Sequence, residues 1–223
     1  ADASATLNVT SSAAPTSIGG VNIDTEPSSM TVGVAANLAA SIGGDATVTW
    51  QWSKGAGSGN ATFSNANAAS TTVTVDAADT YTFIAQASSS DAGLTGGSPQ
   101  SLTSSSIVAS AAPVTYTLNL TGAQAGNTAY TAQIDGGAIS DDPTVTLNQG
   151  DTLVITNNSG GHPVIITESD GGSSTTDGTI TGSNPADDGE TLTWDTTSAA
   201  AGTYYYQCQN HTDMIGTITL NAA

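Results

Sequence analysis

The stretch Gly202–Ile218, written GTYYYQCQNHTDMIGTI, brings together residue types that are scarce in this chain. It contains Cys208, the single cysteine of the protein, together with His211 and Met214. The protein has only two histidines, and the other is His162 in the stretch TNNSGGHPVII. Thiolate, imidazole and thioether groups are ligands of late first-row transition metals. The sequence therefore predicts that these two stretches meet at a metal site.

The spacing inside the first stretch indicates a tight loop between two β-strands. Two residues separate Cys208 from His211, and two more separate His211 from Met214. This spacing lets the three side chains turn toward one point, while His162 has to come from the end of a neighbouring strand. Two histidines and a cysteine with a weak axial methionine are the ligands of a blue-copper site. Zn²⁺ also accepts two histidines and a cysteine, but the methionine favours copper.

The pattern in the rest of the chain predicts an all-β protein. Small polar and β-branched residues form short alternating runs, separated by Gly, Asn, Asp and Ser clusters. In the second half we predict strands at Val114–Leu120, Ala129–Ile134, Thr144–Leu147, Thr152–Thr156, Val164–Thr167, Thr191–Trp194, Thr203–Gln207 and Thr217–Leu220. In the first half we predict strands at Thr6–Thr10, Met30–Val34, Thr47–Ser53, Thr71–Val75, Thr80–Ala87 and Ser105–Ser110.

A boundary between two domains is predicted at Ala109–Pro113, which is rich in small residues and ends in proline. The 223 residues allow two β-sandwiches of about 100 residues each. We therefore expect an N-terminal arm or edge strand at residues 1–20, one sandwich at 21–110 and a second at 113–223. The arm is a candidate for self-assembly, because an extended segment can add to an open sheet edge of another copy.

The first domain carries two aromatic signals of a sandwich. Val48, Trp50 and Trp52 alternate on one face of a predicted strand, and Asp79-Thr80-Tyr81 reads as a turn that enters a late strand. This combination resembles the immunoglobulin-like sandwich. The paired cysteines of antibody domains are missing, so the resemblance is to a surface module. We interpret Trp50 and Tyr81 as core and corner residues with no ligand role.

The second domain has a more specific pattern. The stretch GDTLVITNN at Gly150–Asn158 is followed by His162 and later by the pattern G-x-Y-x3-C-x2-H-x2-M-x-G. From Val114 to Ala223 the chain resembles the cupredoxins, and the plastocyanin and amicyanin type is nearest. The resemblance implies one type 1 copper site in the second of two tandem Greek-key β-sandwiches. It implies imidazole ligation by the two histidines, a thiolate ligand and a weak axial thioether, supplied by His162, His211, Cys208 and Met214.

Two residues depart from the family pattern. Pro163 follows the first histidine, where electron-transfer members carry an asparagine that ties the two ligand loops together. Gln207 precedes Cys208, where plastocyanin-like proteins have a tyrosine that serves as an electron exit. Contacts of this kind orient ligands and tune the metal, so these departures bear on the reduction potential and the loop rigidity, and no tyrosine is assigned to an electron path. Strand alternation sends Tyr205 to the opposite face from its two tyrosine neighbours.

Composition excludes several classes of partner. The chain has one Lys or Arg against 19 Asp and Glu, and its formal net charge is −18. Nucleic acid is excluded as a partner because phosphate binding depends on clustered Lys and Arg. We also expect no membrane insertion, since no stretch approaches the ~18 apolar residues that a span requires. The acidity either attracts a basic redox partner or keeps the surface soluble.

The region from Glu168 to Glu190 is rich in Gly, Ser and Asp. Asp170, Asp177 and Asp187–Asp188 lack EF-hand spacing, so we interpret the region as a solvated acidic loop and not as a calcium site.

Two functions remain open at this point. The first is a one-electron carrier that is not an enzyme, because both histidines are already used and no Ser-His-Asp arrangement can form without them. The second is a structural or assembly subunit of an extracellular appendage or a virion surface, in which the copper domain is a display module. The opening ADASA resembles a mature N-terminus after processing. We expect an extracellular, periplasmic or virion-surface location.

Overall fold

The computed structural model describes residues 17–91 and 94–222, which form β-strands joined by turns and loops. The chain divides into two compact units, Ala1–Ala112 and Pro113–Ala223. Within the described ranges, no helix is long and apolar enough to cross a membrane. The expectation of an all-β chain built from β-sandwiches is confirmed. The predicted strand Thr6–Thr10 and most of the predicted arm lie outside the described residues.

The described part of the first unit contains two sheets. One sheet has the order β1-β3-β6-β5, and the other has the order β2-β9-β7-β4, with β8 also paired to β7. The strands are β1 (Ile18–Thr25), β2 (Ser29–Thr31), β3 (Ala36–Gly44), β4 (Thr49–Ala56), β5 (Ala61–Phe63), β6 (Ser70–Val75), β7 (Asp79–Ser88), β8 (Gln100–Thr103) and β9 (Ile107–Ser110). Ala109 and Ser110, where the predicted strand Ser105–Ser110 overlaps the predicted linker, belong to β9, and the Ala109 side chain is buried in the core.

The core of the first unit is set by strand alternation. Every second residue of β7 is buried, from Tyr81 to Ala87. Trp52 is also buried, and its indole N–H donates to the Ala68 carbonyl over 3.0 Å. The Tyr81 hydroxyl donates to the Ala77 carbonyl over 2.9 Å, the back-bonded tyrosine at a sheet corner that immunoglobulin-like sandwiches use. Tyr81 therefore has the corner role predicted for it.

Strands β1 and β3 were not predicted, although they pair along most of their length. β3, ANLAASIGG, is rich in alanine and glycine, which are depleted in strands, and β1, IGGVNIDT, contains a Gly-Gly pair. A Cβ at Gly19 would lie 2.6 Å from the backbone of Gly43, so glycine is required for the two backbones to approach this closely. The pairing is thus decided by backbone contact, which the alternation of apolar residues does not reveal.

The second unit also has two sheets. Their orders are β12-β11-β10-β14-β17-β16 and β13-β19-β18-β15. The strands are β10 (Thr115–Ala123), β11 (Tyr130–Ile134), β12 (Ser140–Asp141), β13 (Val145–Asn148), β14 (Thr152–Asn157), β15 (Val164–Thr167), β16 (Thr179–Gly182), β17 (Thr191–Asp195), β18 (Gly202–Cys208) and β19 (Ile215–Asn221). All eight predicted strands overlap observed ones, and β12 and β16 were missed.

The acidic region contains a strand and makes hydrogen bonds to the rest of the second unit. It contains β16, and the Asp177 carboxylate accepts hydrogen bonds from the Tyr204 hydroxyl at 2.5 Å and the Ala200 N–H at 2.9 Å. The bond from Tyr204 is the main cause that lowers the pKa of Asp177. Asp188 accepts a bond from the Gly160 N–H over 2.8 Å. These two carboxylates tie the region to the sandwich, and Asp188 remains exposed to solvent.

One strand pairing brings the two predicted ligand stretches together. β15 runs antiparallel to β18, with Val164 opposite Cys208. The start of β15 therefore lies beside the end of β18. His162 precedes β15 by two residues, and Cys208 is the last residue of β18. The antiparallel register therefore places both residues at the same end of this strand pair.

Candidate metal centre

The structure brings His162, Cys208 and His211 into one cluster of donor atoms. The two Nδ1 atoms lie 3.2 Å apart, and the Cys208 Sγ lies 3.4 Å from Nδ1 of His211 and 3.9 Å from Nδ1 of His162. In the residues that the structure describes, no other group of three or more His, Cys, Asp or Glu side chains brings its donor atoms this close together. The cluster is therefore the candidate metal centre of the second unit.

The donor separations can be compared with what one metal ion requires. Nitrogen and sulfur ligands of a first-row ion such as Zn²⁺ lie about 2.0–2.3 Å from it, so pairs at angles of about 100–130° are separated by roughly 3.1–4.0 Å. All three observed separations, 3.2, 3.4 and 3.9 Å, fall in this range. A thiolate and two imidazoles also suit copper and zinc chemically. The residues present therefore fit a single metal ion.

Burial differs between the sulfur and the imidazoles. The Cys208 side chain is 1% exposed, whereas both histidines are partly exposed. Met214 is fully buried in the same core cluster as Cys208. The loop is closed by the Cys208 N–H, which donates to the Met214 carbonyl over 2.9 Å. The structure thus gathers three of the four predicted ligands and holds Met214 on the same closed loop.

The backbone of His162 is held by three neighbouring donors. Its carbonyl oxygen accepts a bond from the Asn157 side-chain amide at 2.9 Å, and the hydroxyls of Tyr130 and Ser159 each lie 3.1 Å from it. Asn157 is fully buried and also donates to the Ala186 carbonyl over 2.8 Å. This network fixes the loop that carries the first histidine.

The two ligand loops are joined through the backbone. Pro163 has neither an N–H group nor a polar side chain. Its carbonyl instead accepts a hydrogen bond from the Gln209 N–H over 2.9 Å. Gln209 follows Cys208 directly, so this bond links the His162 loop to the Cys208 loop. The connection between the two ligand loops is therefore made by main-chain atoms.

The residues before Cys208 are mostly buried. Tyr204 and Tyr206 are in the core and Tyr205 is partly exposed, which confirms the predicted alternation. Gln207 is only 4% exposed, and its side-chain oxygen accepts a bond from the Gly171 N–H over 3.0 Å. A cavity of about 310 Å³ lies beside it and is lined by Gln207, Cys208 and the 171–174 stretch, among others. The position before the cysteine is thus used to hold a loop.

Two residues of the site were not found from the sequence. Asn127 lies in the turn between β10 and β11, and its Nδ2 is 3.2 Å from Nε2 of His211. Tyr130 follows the same turn and is fully buried beside the ligand loops. Burial raises the pKa of Tyr130 far above its ordinary value, and Cys208 nearby raises it further, so the phenol remains a hydrogen-bond donor. Gly126-Asn127 is a turn signal, but nothing in the sequence places that turn beside His211.

Replacing Tyr130 with phenylalanine should weaken metal binding about tenfold, because neighbours that support ligands typically contribute 10–100-fold to affinity. The metal-free protein should also lose about 1–2 kcal/mol of unfolding free energy, since the His162 carbonyl loses a buried donor. Affinity can be measured by competition titration with Co²⁺, and stability by urea unfolding.

Tyr206→Phe is the matched control, because its hydroxyl donates to the Pro143 carbonyl over 2.8 Å and not to a ligand loop. It should lower stability similarly and leave metal affinity unchanged. An equal fall in affinity for both variants would contradict a specific role for Tyr130.

Comparisons with known proteins give distant structural similarities. No protein-family model and no curated protein sequence matches the chain. Domains 5–6 of the S-layer protein SbsC are 13% identical with a TM-score of 0.33, covering 93% of this chain and 99% of that one. Tandem Ig domains of titin are 16% identical with a TM-score of 0.28, covering 92% and 98%. A multicopper oxidase from Campylobacter jejuni is 12% identical with a TM-score of 0.32, covering 78% and 50%. Similarities this low assign no function.

Proposed function

We propose that the second unit binds one copper ion at a type 1 site and carries single electrons. His162, Cys208 and His211 would hold the ion as in a cupredoxin-like centre, with Met214 as the weaker fourth ligand. The observation that carries the proposal is the convergence of two imidazole nitrogens and one sulfur at separations of 3.2–3.9 Å. A buried methionine on the same loop favours copper over zinc.

Copper bound by these residues would supply one-electron chemistry between Cu(I) and Cu(II). The chain's part is to hold the ligands still. The Cys208–Met214 and Gln209–Pro163 backbone bonds and the three donors on the His162 carbonyl restrict both ligand loops. A ligand set that moves little between oxidation states favours fast electron transfer. The Cys208 sulfur is kept out of water, whereas the two histidine rings are partly exposed.

The net charge of the chain indicates which kind of partner it would bind. A net charge of −18 favours association with a basic redox protein, since complementary charge accelerates encounter. The loop between Cys208 and Met214 has exposed residues at Gln209, Asn210, Thr212 and Asp213, which offer a small polar contact surface with one carboxylate. An extracellular, periplasmic or virion-surface location is part of the proposal.

The first unit supports a spacer or display role. Both histidines and the only cysteine lie in the second unit. The first sandwich therefore lacks the histidine and cysteine ligands of the proposed site. This division also favours the alternative function, in which the protein is an assembly subunit and the copper domain is displayed on its surface.

Purified protein loaded with Cu²⁺ and freed of excess metal tests the proposal. We expect one copper per chain, an intense visible absorption from the thiolate–copper bond, and reversible one-electron reduction by voltammetry. Copper that is retained without the absorption, or without reversible reduction, would favour the display function. A chain that retains no copper would contradict a copper site altogether.

A further inference from the structure

Asn127 contacts the edge of His211 that faces away from the metal centre. Nδ1 of His211 lies within 3.2–3.4 Å of the other two donor atoms, so Nε2 is the outer nitrogen. The Asn127 side chain meets this Nε2 at 3.2 Å, and the contact is partly buried. The two residues are 84 positions apart in the chain. The turn between β10 and β11 is therefore part of the environment of the centre.

The turn presents Asn127 in a fixed conformation. The Gln124 N–H donates to the Ala129 carbonyl and the Asn127 N–H donates to the Gln124 carbonyl, both over 2.9 Å. Asn127 has a φ of 56°, in the left-handed region that asparagine tolerates better than most residues. The backbone of the turn thus aims this side chain at His211.

The imidazole requires different partners in its two tautomers. A neutral imidazole carries one N–H donor and one acceptor nitrogen. To bind a metal through Nδ1, the ring has to carry its proton on Nε2, and Nε2 then needs an acceptor. If the proton is on Nδ1, beside the Cys208 sulfur, Nε2 is bare and needs a donor. The outer partner therefore decides which tautomer is favoured.

An amide can serve both tautomers, because it has an NH₂ donor and a carbonyl acceptor that exchange places when the group turns over. In the structure Nδ2 faces His211, which matches a bare Nε2 and a proton on Nδ1. With the amide turned over, Oδ1 would accept a bond from Nε2–H and Nδ1 would be free to bind a metal. A carboxylate in the same place could only accept a hydrogen bond.

We infer that Asn127 is a positioning residue that donates to Nε2 of His211 in the metal-free protein and accepts from Nε2–H when a metal is bound. Its amide turns over between the two states. The metal-bound half of this inference rests on the proposed function, whereas the metal-free half does not. The contact keeps the His211 ring oriented in both states, so the ligand does not have to be reordered when metal arrives.

The test uses three variants of the full chain. Asn127→Gly removes the side chain and keeps the turn, since glycine adopts a positive φ readily. Asn127→Asp retains an acceptor and removes the donor. Gln124→Ala is the control, because it removes another polar contact of the same turn, from Gln124 to the Asp141 carboxylate at 2.7 Å. The readouts are the His211 tautomer by ¹⁵N NMR in alkaline buffer, where imidazole is neutral, and the affinity for Zn²⁺.

We expect the metal-free wild type to carry its proton on Nδ1 and the Zn²⁺-loaded wild type to carry it on Nε2. Asn127→Asp should move the proton of the metal-free protein to Nε2 and raise Zn²⁺ affinity. Asn127→Gly should lower the affinity about tenfold, at the low end of what the loss of a ligand's neighbour causes. Gln124→Ala should match the wild type in both readouts.

A metal-free wild type with its proton on Nε2 would overturn the inference, because Asn127 would then already be an acceptor. An equal loss of affinity in Gln124→Ala and Asn127→Gly would also overturn it, since the turn would then act only through its stability. If the wild type bound neither Zn²⁺ nor copper, the proposed function would fail. The tautomer difference between the metal-free wild type and Asn127→Asp would still decide the role of Asn127.

Discussion

Replacing Cys208 with serine is expected to abolish the visible absorption of the copper-loaded protein and to weaken copper binding by more than the roughly 10–100-fold that follows loss of a ligand's neighbour. The thiolate is the soft, charged ligand of the set, and a serine hydroxyl is neutral and hard. Because the Cys208 side chain is only 1% exposed, a group from the solvent cannot readily replace the lost sulfur ligand. The measurements are a copper competition titration and the visible spectrum.

The matched control is Gln209→Ala, which changes the next residue in the loop. Its side chain is exposed, and the bond that it makes to Pro163 uses only its backbone N–H. We expect this variant to keep the absorption and the affinity of the wild type. Thermal unfolding of the metal-free forms should show that Cys208→Ser remains folded. A folded serine variant that bound copper like the wild type would refute thiolate ligation.

Replacing Gly216 with alanine is expected to destabilise the protein by about 3 kcal/mol, the upper end of the usual effect of overpacking. Gly216 lies directly opposite Tyr206 on the neighbouring strand, and a Cβ there would overlap the tyrosine ring. The ring is fully buried and its hydroxyl is bonded to the Pro143 carbonyl, so it has no room to move. Urea unfolding of the metal-free protein measures the loss.

Gly202→Ala is the control on the same pair of strands. Gly202 is exposed, and a Cβ there would meet nothing within 4 Å. Its effect should stay within about 0.5 kcal/mol, as for most surface substitutions. Similar losses for both glycines would mean that a cause common to the two positions, and not the tyrosine ring, explains the cost of replacing Gly216.

Local patterns in the sequence predicted much of the second unit. Val164–Thr167 has the predicted bounds, and its pairing with β18 places His162 beside Cys208 as the site requires. The spacing of Cys208, His211 and Met214 was informative because all three lie on one short loop whose geometry is set by the strands that flank it. The spacing of ligands on one loop lies within a few residues of sequence, so it could be predicted.

The contacts that the sequence did not reveal are long-range or made by the backbone. Asn127 reaches His211 across 84 positions, and its own surroundings predict only a turn. The Gln209–Pro163 bond involves main-chain atoms that every residue except proline can offer. The pairing of β1 with β3 depends on the close approach of two glycines, Gly19 and Gly43. In each case the side-chain pattern carries no signal of the partner.

Strand β18 is anchored along its whole length, which affects how metal exchange can proceed. Tyr204 is tied to Asp177 and Ala200 near its start, and the Cys208 N–H is bonded at its end. Local opening occurs where few such bonds hold the backbone. The backbone that carries the sulfur should therefore open slowly, whereas the two imidazole rings are themselves partly exposed. A metal held at this site would therefore be reached from solvent on the side of the two histidines, with Cys208 as its most protected ligand.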